Sequence, residues 1–254
     1  MVLALAVPIW ALSRFGWVIG PLKVPVTDLL LGFTPLIAAM ILVFQAGGTG
    51  GLHSFLKRVV DFGRLAGTNW LWLALGLAPL IYALTAAGLH LAGYPGTPVV
   101  HWAQVPVLAA IMLLLAIGEE AGWTGYLLDP LQLRFGALGA SLIIAIPWWL
   151  GHIPSIIAIG GTASDIAWWL PGAIAMRVLM TWLYNGAGRS VAAVVLFHTL
   201  LNVGRPVAYP TIGTHYDPAY QNTGYVVAVS LAAVVVLFWR LTGAASKALP
   251  AEER

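Results

Sequence analysis

The chain has 254 residues, 60% of them hydrophobic and 8% charged, with a formal net charge of +3 and a mean hydropathy of +0.90. An average soluble domain carries roughly 25% charged residues, so this composition excludes an ordinary soluble surface, and the scattered basic residues exclude an electrostatic nucleic-acid binder. With no cysteine, disulfides and thiolate metal sites are excluded as well.

A helix crosses a hydrocarbon core with about 20 apolar residues. Residues 1–12 are apolar but short for that, and they lack the positive start and small-residue cleavage site of a signal peptide. They read as a first span that is short, tilted or missing its natural start. Further spans are expected at 27–46, 69–92, 103–127, 138–160, 166–186, 190–209 and 222–242. The fold class is therefore all-α: a single polytopic membrane domain over 1–254, with about eight helices in the bilayer. A barrel is excluded because its strands would alternate over about ten residues, whereas these runs are continuously apolar. Between the second and third spans, Gly47, Gly48, Gly50 and Gly51 precede Lys57 and Arg58, which reads as a flexible turn leading into a basic interfacial segment. Residues 244–254 read as a short solvated tail. Trp70, Trp72, Trp102, Trp168, Trp169 and Trp239 fall near expected span ends, as an aromatic belt would.

Eight spans place Lys57, Arg58, Arg64, Arg134, Arg189, Arg240, Lys247 and Arg254 on one side, against Arg14, Lys23 and Arg205 on the other. The positive-inside rule makes the first side cytoplasmic. The expectation is a multi-pass protein of the cell membrane with both termini in the cytoplasm.

An ionisable group inside a span costs roughly 2.5–3.5 kcal/mol on insertion scales, so each one asks for a reason. Glu119 and Glu120 lie on the fourth span, His152 on the fifth, Arg177 on the sixth, and His198 with Asn202 on the seventh. At the rise of an α-helix, Glu119 and Arg177 lie about 14 Å from the cytoplasmic face, His198 about 12 Å and His152 about 20 Å. Singly, each has a plain explanation: a histidine can be a packing residue, Asn202 helix–helix glue, and Arg177 a snorkelling cation. Together they form a polar cluster at similar depth. His198 and Asn202 share one helix face at i and i+4, as do Trp148 and His152, with Pro147 able to loosen the helix before them.

The sequence Glu119-Glu120-Ala121-Gly122-Trp123-Thr124-Gly125-Tyr126, then Trp148-x-x-x-His152, then His198-x-x-x-Asn202, resembles the CPBP family. This family comprises CAAX prenyl endopeptidases and bacteriocin-processing (Abi) intramembrane proteases. Its ordered motifs are EExxxR, an aromatic followed by xxxH, and HxxxN or HxxxD. The resemblance covers about residues 103–205 and includes Thr181-Trp182-Leu183-Tyr184-Asn185, which makes this stretch the expected catalytic core.

The resemblance implies an intramembrane endopeptidase that hydrolyses a peptide bond near the C-terminus of a membrane-associated or lipidated substrate. Glu119 and His152 would activate water, His198 and Asn202 would hold the oxyanion, and Glu120 would support Glu119, with Trp148 and Thr124 in supporting places. The motif arginine is Thr124 here, and Arg177 is expected to supply the missing positive charge. No cofactor is implied by the leading, metal-free reading, and zinc remains the alternative. The expected partners are a membrane-associated peptide or protein and the lipid bilayer, with no nucleic acid. A non-catalytic membrane protein with a regulatory or self-immunity role is the competing reading. A transporter ranks behind it, because the two halves show no paired broken segments.

Overall fold

The computed structural model describes residues 1–13, 18–19, 24–94, 96–97, 102–158, 160–212 and 215–242. Arg14, Lys23, His101, Lys247, Arg254 and the expected tail 244–254 lie outside the described residues. In chain order the helices are α1 Val2–Ser13, α2 Val26–Gly32, α3 Thr34–Val59, α4 Asn69–Leu91, α5 Val105–Gly122, α6 Leu128–Ala158, α7 Ala163–Gly186, α8 Val191–Ala208 and α9 Pro218–Thr242. A π-helical turn, Trp123–Leu127, joins α5 to α6. Two antiparallel two-residue pairs lie in connections: β1 Val18–Ile19 with β2 Val24–Pro25, and β3 Thr211–Ile212 with β4 His215–Tyr216. Among the described residues all else that is regular is helical.

Among the described residues six stretches are long and apolar enough to cross a membrane, so the protein is a multi-pass membrane protein. The sequence-based count of about eight differs from six for definite reasons. The stretch Trp102–Ala158 is two passes, because Gly136 takes φ +69° and breaks the helical path. Beyond that break the chain turns back far enough for Trp148 on α6 to meet Glu119 on α5. The short α1, at 12 residues, does not qualify by length.

The expected flexible turn at 47–68 is instead mostly ordered helix. A straight α3 would separate Pro35 from Val59 by about 36 Å. Yet Pro35 lies against Gly122, while Phe55 and Val59 lie against Gly125 on the next turn. The reversal falls at Gly48, whose φ of +59° suits glycine alone. The returning segment buries Phe55 and Val59 in the core, and that burial is what orders it.

Local chemistry sets the helix starts. Pro35 and Pro106 occupy the first turns of α3 and α5, where a missing N–H costs nothing. Thr162 and Asp165 form a reciprocal capping box on α7, and the Ser190 hydroxyl accepts from Ala193 N–H at the start of α8. The most enclosed helices are α7 and α8, which fill the centre of the bundle. Large apolar side chains such as Phe44, Leu84, Leu114, Val234 and Phe238 point outward, as a lipid-facing surface requires.

Of the expected aromatic belt, Trp72, Trp102 and Trp168 are exposed near helix ends. Trp169 and Trp239 are buried instead. Trp70 packs edge-on against Trp182, 5.2 Å between ring centres, in space that Gly186 leaves open.

Candidate active site

Glu119 and Glu120 end α5 just before the π-helical turn, and being adjacent they point about 100° apart. Glu120 is fully buried between helices. Arg177 of α7 grips it with two parallel hydrogen bonds: Nη1–H donates to Oε2 at 2.9 Å and Nη2–H to Oε1 at 2.8 Å. Thr124 Oγ1–H, one turn later, donates to Oε2 at 2.5 Å. His198 of α8 places Nδ1 at 2.9 Å from Oε1. Three elements therefore meet on one carboxylate, and the two-pronged geometry is the strong form of an arginine–carboxylate pair. The threonine at the motif's arginine position and an arginine from a different helix thus serve the same acid.

Glu119 is half-buried and faces another way. Its Oε2 accepts a 2.6 Å hydrogen bond from the indole Nε1–H of Trp148. The Trp148 ring lies 4.1 Å from the guanidinium carbon of Arg177 and meets the rings of His152 and His198 edge-on, at 5.2 and 5.7 Å. One indole therefore touches both halves of the cluster: it tethers Glu119 by its edge and covers Arg177 with its face.

His152 follows Trp148 by one helical turn, with Nδ1 at 2.8 Å from the Trp148 carbonyl. A carbonyl can only accept, so Nδ1 carries a hydrogen, and in its neutral form the ring presents Nε2 as a lone pair. The same logic puts a hydrogen on Nδ1 of His198, where an ion-paired carboxylate is the acceptor. Asn202 lies one turn beyond His198 on α8 and is half-buried. Among the described residues no hydrogen bond ties it to the cluster.

Sequence reasoning placed Glu120 in support of Glu119. The structure ties Glu120 to Arg177, Thr124 and His198, and Glu119 to Trp148. Trp169 was missed as a site residue, because its position near a helix end suggested the aromatic belt. It is buried, with its ring 5.1 Å from Trp148 and 5.4 Å from His152. Its spacing from Arg177, eight residues with the small Ala173 midway, is the signal that could have found it.

Asp129 was also passed over. Near the start of α6 it accepts from Tyr184 Oη–H at 2.8 Å and pairs with Arg189 at 2.5 Å and Arg58 at 3.5 Å. Arg58 also donates to the Gly125 carbonyl, so the returning segment of α3 is tied to the turn that follows the two glutamates.

No group of three or more His, Asp or Glu side chains is arranged as metal ligands among the described residues. Of the titratable side chains in the cluster, the two histidines already spend Nδ1 on protein acceptors.

A family model described as type II CAAX prenyl endopeptidase, Rce1-like, matches residues 100–204, the stretch that carries every residue of this cluster. The CAAX prenyl protease 2 of Methanococcus maripaludis is 30% identical over 142 residues, which cover 53% of this chain and 50% of that protein. The matched segment is similar to the type II CAAX prenyl endopeptidases, in keeping with the CPBP resemblance of its motifs. This chain spans about half the length of the curated relative it matches. Within the CPBP pattern the first-motif arginine is replaced by Thr124, and the positive charge beside Glu120 comes from Arg177.

Proposed function

We propose that the protein is an intramembrane endopeptidase that cleaves a peptide bond near the C-terminus of a membrane-associated or lipidated substrate. The observation that carries this reading is the division of the cluster. One glutamate is locked in a buried ion pair, while the other accepts from an indole N–H beside a histidine that spends its Nδ1 on a backbone carbonyl.

In the proposed reaction Glu119 and His152 orient a water molecule and take its proton as the oxygen attacks the carbonyl carbon. General-base help of this kind contributes typically 10²–10⁴-fold. The oxyanion that forms is held by Asn202 and by His198 through Nε2–H. For that, the His198 ring carries both protons, with Nδ1–H kept on Glu120. Glu120, Arg177 and Thr124 act at one remove, by fixing His198 in place. As the tetrahedral intermediate collapses, the C–N bond breaks and the proton passes to the leaving amine, leaving a new carboxylate and a new amine. The substrate side chains are expected to lie in the bilayer. The active cluster is expected to open towards the cytoplasm in the cell membrane, with both termini on that side.

The non-catalytic reading drew its strength from the missing motif arginine. Arg177 in contact with Glu120 brings a positive charge to that carboxylate from another helix, which supports the catalytic reading.

The test is cleavage of a panel of membrane-anchored peptides by the purified full chain, compared with Glu119→Ala and His198→Ala, with and without a chelator. Cleavage that both substitutions abolish and the chelator spares is the expected result. Cleavage lost to the chelator and restored by zinc would make the enzyme a metalloprotease. No cleavage by folded wild-type protein would sink the peptidase reading.

A further inference from the structure

The π-turn that follows the two glutamates has a cause in the sequence. A proline inside a helix has no N–H to give, and its ring clashes with the carbonyl four residues back. Pro130 stands four residues after Tyr126 and five after Gly125, and the backbone widens over Trp123–Leu127. A carbonyl in the wide pattern looks for its donor five residues ahead. Five ahead of Gly125 is Pro130, which cannot donate. Gly125 is buried, and a buried carbonyl without a donor is costly.

A donor reaches that carbonyl from outside the turn. Arg58, on the returning segment of α3, donates from Nη2–H to the Gly125 oxygen, a charge-assisted bond of the stronger kind. Phe55, Arg58 and Val59 fall at i, i+3 and i+4, so they share one face of the segment. The two apolar members close over the same glycine: a methyl at Gly125 would lie 3.5 Å from each. Asp129 aims the guanidinium from the far side of the turn. Its Oδ2 lies 3.5 Å from Nη1 of Arg58, and that oxygen is held in turn by Arg189 at 2.5 Å and by Tyr184 Oη–H at 2.8 Å. Three separate parts of the chain thus fix one guanidinium on one carbonyl.

A π-turn holds one residue more than an α-turn. Were it to tighten, the helix before it would rotate by about 100° against the helix after it. That is the angle that separates Glu119 from Glu120, and Trp148, whose indole N–H tethers Glu119, stands on α6 beyond the turn. A tightened turn therefore takes Glu119 off its donor. We propose that Arg58 is a positioning residue: by donating to the Gly125 carbonyl it holds the π-turn open and keeps Glu119 in register with Trp148. The assignment rests on the endopeptidase reading above only for its effect on cleavage.

The experiment uses the purified full chain with its tryptophans labelled with nitrogen-15, the indole N–H resonance of Trp148 being assigned by its loss in Trp148→Phe. Arg58→Gln is expected to move that resonance towards the position of an indole without a carboxylate acceptor. In the cleavage assay it should lower kcat about tenfold or more, as a misplaced catalytic group does, with KM within about twofold of wild type. Arg58→Lys, which keeps the charge and a donor, should recover part of both. Lys57→Gln removes the neighbouring exposed cation and should change neither. A lower melting temperature with resonance and kcat both unmoved would give Arg58 a merely structural role and overturn the proposal. In an active enzyme, a change in only one of the two readouts would overturn it as well. If Arg58→Gln does not fold, Arg58→Met, which keeps the apolar stem, takes its place, and failure of both to fold sinks the idea. A shifted resonance in a protein whose wild type cleaves nothing would overturn the peptidase reading and leave the positioning role standing.

Discussion

Neighbouring residues on an α-helix point about 100° apart, and that angle separates the tasks of Glu119 and Glu120. Glu120 points to the protein interior, where an unpaired charge would be costly, and so gathers Arg177, Thr124 and His198. Breaking one side of a buried ion pair typically costs about 3–5 kcal/mol. Arg177→Ala is therefore expected to lower the melting temperature of the purified protein by several degrees and to abolish cleavage. Thr124 sits at i+4 from Glu120, within reach of it on the same helical path. Adding Thr124→Arg to Arg177→Ala should then recover part of the stability. A double variant no better than Arg177→Ala would show that the charge must come from α7. Glu119, by contrast, is held by the indole N–H of Trp148. Trp148→Phe keeps a ring over Arg177 but removes that donor, and a lost hydrogen bond to a charged group is worth about 1.5–3 kcal/mol. The expected result is a kcat about 10-fold or more below wild type, with folding intact and KM little changed.

At the scale of elements, the site depends on how closely α5 approaches its neighbours. Gly118 and Gly122 form a small-x-x-x-small face against α2 and α3. A methyl at Gly118 would lie 2.6 Å from the Gly32 carbonyl oxygen, and one at Gly122 would overlap Pro35. Both glycines flank the two glutamates, so their packing sets where the carboxylates point. Gly122→Val should push α3 away from α5, lowering both stability and activity, whereas Gly76→Ala, at an open position on α4, should change neither. Comparable melting curves for the two variants would refute this account of the packing. The π-helical turn that follows the glutamates widens the backbone at a place where functional sites often occur. Its carbonyl at Gly125 is met by Arg58 from the returning segment of α3.

For the whole molecule, the reversals at Gly48 and Gly136 and the turn after α7 share one end of the bundle, as Arg58 and Arg189 meeting at Asp129 show. The opposite end holds Tyr94, Asp217 and the start of α9. By the positive-inside rule the first end is expected to be cytoplasmic. Because the chain has no cysteine, single cysteines can be introduced without a background. Ala92→Cys, exposed after α4, is expected to react with a membrane-impermeant maleimide on intact cells. Ala66→Cys, exposed before α4, should react only after permeabilisation. The reverse pattern would invert the orientation and move the proposed opening to the other side.

The membrane class, the location of most spans and the residues Glu119, Glu120, His152, Arg177 and His198 were all readable along the chain. Apolar runs and costly buried charges report themselves through composition and spacing, whatever packs against them. Three features could be read only once the helices were packed. Local spacing makes the returning segment of α3 look like a glycine-rich loop, and only burial of Phe55 and Val59 against α5 and α6 orders it. The motif pattern leads to the expectation that Arg177 supplies the missing charge, but its two-pronged grip on Glu120 joins residues 57 apart in sequence and is set by packing. Periodicity cannot tell a tryptophan of the lipid interface from one against a histidine, which is why Trp169 looked like an anchor until α6 and α7 came together. Spacing within a helix fixes which side chains share a face, while the partner of that face is chosen by long-range packing between helices.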